Sequence, residues 1–201
     1  MPVAASAQSQ TATRPLKLVV LGDSLTAGYG LPASAAFPPV LEQALRAKGH
    51  KVEVANAGVS GDTMQGGLDR LDWSVPEGTD GVILELGAND SLRGFDPAVT
   101  EKALDAILNR LAARKIPVLL AGMYAPRNLG PAYTARFDGI FPEAAQKYGL
   151  ILYPFFLEGV AGDRVLNQPD LLHPTAEGIR VIVSRILPTV ERFLARLQAK
   201  S

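Results

Sequence analysis

The sequence predicts an α/β protein in which a parallel sheet carries helices on both faces. Two observations point there. Short aliphatic, β-branched runs recur from residue 16 onward, and stretches with apolar residues at helical spacing separate them in strict alternation. Joining parallel strands through helices covers both faces of the sheet.

The elements follow in order. Leu16-Lys17-Leu18-Val19-Val20-Leu21, ended by Gly22, reads as a buried strand. Residues 37–48 place Val40, Leu41, Ala44 and Leu45 on one helical face, closed by Gly49. Val52-Glu53-Val54-Ala55 is a second strand, and residues 81–86 (Gly-Val-Ile-Leu-Glu-Leu) are a third. Asp96 and Pro97 supply an N-cap and a first-turn proline for a helix over 97–114, whose buried stripe is Leu104, Ile107, Leu108 and Leu111. A strand over 116–121 follows, then a helix over 131–147 that Pro142 is expected to kink or split. A strand at 150–153 and a long helix through Ile179, Val183, Ile186 and Phe193 complete the series.

Composition narrows the function. Twenty basic residues balance twenty acidic ones, so no net field recruits nucleic acid or an anionic membrane. No apolar run is long enough to cross a bilayer. Cysteine is absent, which removes thiol chemistry, disulfides and cysteine-held zinc. The two histidines, His50 and His173, are too few for a multi-histidine metal site. The 201 residues suit one domain over 16–201, preceded by a flexible tail over 1–15. Ala5-Ser6-Ala7 before Gln8 reads either as the remnant of a signal peptide or as plain tail.

Ligands of such sheets bind outside the carboxyl ends of the strands, so the residues just after each strand are the ones to inspect. The first strand is followed by Gly22-Asp23-Ser24-Leu25, placing a serine where the chain turns into a helix. Taken alone, Ser24 is as well explained as an N-cap. The second is followed by Asn56-Ala57-Gly58-Val59-Ser60-Gly61-Asp62-Thr63, whose glycines permit a turn that presents N–H groups. The third is followed by Gly87-Ala88-Asn89-Asp90, where the Asn89 amide can donate to an oxyanion or make an ordinary Asx turn. Before the final helix stands Asp170-Leu171-Leu172-His173-Pro174. The Asp170 carboxylate can orient the His173 ring there, or the pair can simply cap the helix. Each signal is weak alone. Together they supply nucleophile, base, orienting acid and oxyanion donors on one sheet edge.

These four blocks resemble, in order, the signature blocks of the SGNH (GDSL) hydrolases over roughly residues 16–195. The resemblance implies a three-layer α/β/α sandwich around a flavodoxin-like parallel sheet of about five strands. It implies Ser24 as nucleophile, His173 as base, Asp170 as its orienting partner, and Ser24, Gly58 and Asn89 as the oxyanion hole. Ser91-Leu92-Arg93-Gly94-Phe95, the segment from Met123 to Tyr133 and Tyr153-Pro154-Phe155-Phe156 are similar to the bacterial arylesterase and thioesterase I–lysophospholipase subgroup. Leu92, Phe95, Tyr124, Phe155 and Phe156 are accordingly the candidate acyl-binding residues, with core or loop packing as the plainer account of each.

The expectation is a serine esterase acting on aryl or short-to-medium acyl esters, with acyl thioesters and lysophospholipids next. It needs no cofactor or metal and takes a small ester or thioester as its partner, without nucleic acid or stable membrane insertion. A periplasmic or secreted bacterial location is implied, with a cytoplasmic one left open; oligomeric state is not written in these residues. Carbohydrate O-acetyl esterase is the alternative on the same fold, followed by a non-catalytic small-molecule-binding module, although that would be expected to have lost Ser24 or His173. A dinucleotide site is disfavoured, because Gly28-Tyr29-Gly30-Leu31-Pro32-Ala33 starts several residues after the strand and is interrupted by Pro32. His50 reads as exposed, Trp73 and Tyr148 as packing residues, Asp23 and Asp62 as turn stabilisers, and Arg127 as a solvated loop residue.

Overall fold

A computed structural model describes residues 14–199 of the chain. The expected tail and signal-peptide remnant lie outside the described residues, save at their end. There the Arg14 guanidinium forks onto the Asp80 carboxylate at 2.6 and 2.7 Å, just before the first strand.

Five strands form one parallel sheet: β1 (Leu16–Gly22), β2 (Val52–Gly58), β3 (Gly81–Glu85), β4 (Val118–Ala121) and β5 (Ile151–Tyr153). Their spatial order is β2-β1-β3-β4-β5. This is the flavodoxin-like order, in which the crossover direction reverses between β1 and β3 and opens a crevice beyond their carboxyl ends. Every residue of β3 and β4 is buried, as is β1 from Leu18 onward, which is why these strands read as nearly unbroken apolar runs. Pro117 has no N–H for the ladder, so β4 begins at Val118 rather than at residue 116.

The helices are α1 (Ser24–Ala27), α2 (Phe37–Ala47), α3 (Met64–Asp69), α4 (Leu71–Ser74), α5 (Ala88–Leu92), α6 (Pro97–Ala113), α7 (Pro131–Tyr148) and α8 (Ala176–Gln198). α2 packs with α8, while α3, α6 and α7 pack side by side, giving a layer on each face of the sheet. The Asp96 carboxylate accepts from Ala98 N and Pro97 opens the first turn of α6, whose Leu104, Ile107, Leu108 and Leu111 are buried. Fully burying a side chain of this kind stabilises the fold by about 1.5–3 kcal/mol. α7 is not split at Pro142: its stripe of Phe137, Ile140, Phe141, Ala144 and Ala145 stays buried on both sides of the proline, and that packing outweighs one missing N–H. Trp73 is 81% exposed, not a packing residue, whereas Tyr148 does pack against the core. His50 is half-buried rather than exposed, with Nε2 3.2 Å from Glu191.

Candidate active site

β1 ends at Gly22, and Asp23 turns the chain by accepting the Leu25 N–H on Oδ1 at 2.9 Å. Ser24 is thereby the first residue of α1, at the rim of the crevice. From the opposite end of the sequence, the segment between β5 and α8 returns to the same rim. The Asp170 carboxylate folds it: Oδ1 accepts the N–H groups of Leu172 and His173, and Leu171 adopts a left-handed φ of 59° to complete the turn. Asp170 Oδ2 stands 2.7 Å from His173 Nδ1, and His173 Nε2 stands 2.9 Å from Ser24 Oγ. With the proton on Nδ1, bonded to the carboxylate, Nε2 is left free to accept from the serine hydroxyl. The backbone N–H of His173, ahead of its side chain, draws the Asp170 pKa down to about 2. Asp170 therefore keeps its charge through the mildly acidic range. The Tyr29 ring lies against the imidazole, centroids 4.5 Å apart.

The oxyanion donors differ in part from expectation. Asn89, in α5 just beyond β3, lines the crevice, and its amide donates to Asp23 Oδ2 at 3.1 Å and to Asp62 O at 2.9 Å. Both amide hydrogens are thus engaged at rest. Gly58 does not offer a free donor: its N–H is taken by Asn56 Oδ1 at 3.0 Å. Its lack of a side chain serves packing, since a Cβ there would lie 2.5 Å from Ala27 N. The residue that fits the expected role is Gly61, three positions on. It holds φ +85°, its carbonyl accepts from Arg93, and its N–H has no partner among the described residues. The following residue, Asp62, is the one whose carbonyl accepts from Asn89.

Two groups, the half-buried Arg70 and the buried Asp90, hold this rim together. Arg70 donates to Asp62 Oδ2 (2.5 Å), Ala57 O (2.7 Å), Gly22 O (2.9 Å) and Ser74 Oγ (2.9 Å), tying the ends of β1 and β2 to the turn that carries Gly61. Asp90 accepts from Met64 N and from the Thr100 hydroxyl, fastening α3 and α6 beside Asn89. Asp23 and Asp62 act here as the turn stabilisers the sequence suggests.

Beside Ser24 and His173 opens a cavity of about 480 Å³, walled mainly by apolar groups. Leu92, Tyr124 and Phe155 line it, the two rings stacked at 4.6 Å, and Met123, Leu157, Leu171 and Leu172 join them. Phe156 does not: it is fully buried edge-to-face on Phe37, a core residue. Phe95 also lies outside the lining, half exposed, with its carbonyl accepting from the Tyr133 hydroxyl. Arg127 stands over the Tyr124 ring and pairs with Asp138 at the edge of the cavity, while its side chain stays exposed between β4 and α7, as the sequence suggests. Among the described residues, no group of three or more His, Asp or Glu side chains is placed to hold a metal ion.

A hydroxyl bonded to an imidazole that is bonded in turn to a carboxylate, at the switch point of a parallel sheet, is the working arrangement of serine hydrolases. The chain belongs to the GDSL-like lipase/acylhydrolase family, whose profile matches residues 20–181. It is 36% identical over 178 residues to "Esterase TesA" of Pseudomonas aeruginosa, covering 88% of this chain and 89% of that protein. It is 40% identical over 161 residues to "Thioesterase 1/protease 1/lysophospholipase L1" of Escherichia coli K12, covering 80% and 76%. Among solved structures, AlinE4, described as an SGNH-hydrolase family esterase, superposes with a TM-score of 0.76 at 46% identity, covering 90% of this chain and 98% of that one.

Proposed function

We propose that the protein hydrolyses carboxylic esters of apolar acyl or small aryl groups by acyl transfer through Ser24. His173 Nε2 takes the Oγ proton as Oγ bonds to the carbonyl carbon. The proton then passes to the departing alcohol or thiol as its bond to carbon breaks. A water deprotonated by the same imidazole releases the acid and returns the proton to Ser24. The oxyanion forms beside the N–H groups of Ser24 and Gly61. Asn89 joins them by giving up the longer of its two bonds, the one to Asp23, since hydrogen bonds of this kind tighten only with substrate in place.

The observation that carries this reading is the bonded line Asp170–His173–Ser24 opening directly onto an apolar cavity. The apolar lining favours hydrocarbon groups over a sugar ring, whose hydroxyls would need partners. Treatment with an aryl phosphonate tests the assignment. A single adduct on Ser24 is expected, absent in a Ser24→Ala protein that melts like the wild type. An adduct on another residue, or ester turnover retained by Ser24→Ala, would overturn it. A panel of esters of rising acyl length should show kcat/KM increasing into the medium-chain range, and a preference for acetylated sugars would reverse the substrate assignment.

A further inference from the structure

Glu85 closes β3, a strand that is otherwise aliphatic, and it is entirely buried. An unpaired charge in such a place is costly, and among the described residues no cation is bonded to it. Its described polar contact is long, Asp23 N to Oε2 at 3.5 Å, and Oε1 has no partner among the described residues. The chain makes room for this carboxyl. A Cβ at Gly22 would crowd Thr26 Oγ1 first and would lie 2.8 Å from both Glu85 O and Glu85 Oε2, so the bare glycine makes room for the carboxyl together with its neighbours beneath the turn that presents Ser24. Beside it is a second fully buried carboxyl, Asp23, whose Oδ1 caps α1 and whose Oδ2 accepts from the Asn89 amide.

Burial, and then the Asp23 charge, hold the Glu85 carboxyl well above its ordinary value, while burial lifts Asp23 to about 6. Two such neighbours do not both ionise. Burial, the Asp23 charge and a side-chain hydrogen bond to Asp23 all push Glu85 toward its protonated form, so Glu85 is the member of the pair that favours the shared proton.

We propose that Glu85 is a positioning residue for the oxyanion donor Asn89: its carboxyl O–H is offered to Asp23, and so sets how firmly Asp23 holds the Asn89 amide. An Asp23 carboxylate without that donor would hold its full charge directly behind Ser24, offset among the described residues only by the N–H groups of Leu25 and Asn89. It would repel the charge developing on the substrate oxygen and keep the Asn89 N–H for itself. With the donor present, the Asp23 charge is spread and the N–H passes to the oxyanion at lower cost. No bond is made or broken on Glu85, and its proton stays within the pair.

This rests on Asn89 serving the oxyanion, and the experiment separates the two. Glu85→Met removes the donor at similar size. Its kcat on a chromogenic aryl ester should fall about tenfold or more with KM within about twofold, the pattern of an interaction made only in the transition state. Glu85→Gln keeps an N–H donor and should recover kcat to within about threefold. Wild-type kcat in Glu85→Met, or a Glu85→Gln protein as slow as Glu85→Met, would overturn the proposal. If Glu85→Met does not fold, infrared spectra decide. A protonated-carboxyl band is expected in the wild type at neutral pH and should be lost in Glu85→Gln; no such band in the wild type overturns the proposal. Asn89→Ala is the control. Slow Asn89→Ala with fast Glu85→Met sinks the role of Glu85 alone, and unchanged turnover in Asn89→Ala sinks both.

Discussion

Asp170→Asn is a severe perturbation for a change of one atom. Asp170 makes three bonds: Oδ1 accepts from Leu172 N (2.9 Å) and His173 N (3.0 Å), and Oδ2 accepts from His173 Nδ1 (2.7 Å). An asparagine keeps the first two through its own Oδ1, so the turn and the fold survive. Its amide then occupies the place of Oδ2 and points a donor at Nδ1. The ring relieves that conflict by moving its proton to Nε2, which then donates to Ser24 Oγ instead of accepting from it. The base is disabled by tautomer alone, with every heavy atom in place. In a triad of this geometry that loss is about 10⁴ in kcat. At 1.36 kcal/mol per tenfold it corresponds to about 5 kcal/mol of activation free energy. Steady-state kinetics on a chromogenic aryl ester, with a thermal melt to show the fold intact, measure it. A folded Asp170→Asn protein retaining kcat within about tenfold of wild type would refute the tautomer argument.

Two further outcomes follow from burial. Phe156→Ala should cost about 3–5 kcal/mol of stability and leave the KM of the folded fraction unchanged. Phe155→Ala should cost little stability beyond its ring stack, about 0.5–1.5 kcal/mol, and raise KM for aryl esters; denaturant melts paired with kinetics check both, and a KM change in Phe156→Ala would put that ring back in the cavity. The Glu85 carboxyl is raised in the fold, so the stability it contributes is fully present below its unfolded value of 4.5 and is lost as pH climbs through its folded value. Glu85→Gln does not titrate there, so its melting temperature should gain on wild type as pH rises from 5 toward 9, and a pH-independent difference would argue against a buried titrating group.

The long elements were legible because burial writes periodicity into sequence. The stripe Leu104, Ile107, Leu108, Leu111 and the run Val19-Val20-Leu21 each specify one structure. α1, α3, α4 and α5 were not, since four to six residues make too few turns for a repeat to show. At the site, residue types were readable while the occupancy of individual bonds was not. Gly58 and Gly61 share one turn, and only coordinates show that Asn56 takes the N–H of the first. The Asx pattern, Asn56 two residues before Gly58, was the available signal. Phe155 and Phe156 are alike in chemistry and point opposite ways, one into the cavity and one into the core. Glu85 had a signal of its own, a carboxylate in a strand buried on both faces.

The bond between Ser24 and His173 spans 149 positions of the chain. During synthesis the hydroxyl emerges early and the strands that flank it later, while the imidazole arrives only after all five strands have been made. A growing polypeptide, or one clipped ahead of residue 173, therefore carries an unactivated alcohol. The order of elements thus acts as a safeguard: hydrolytic capacity is switched on only when the segment ahead of α8 closes onto the finished sheet.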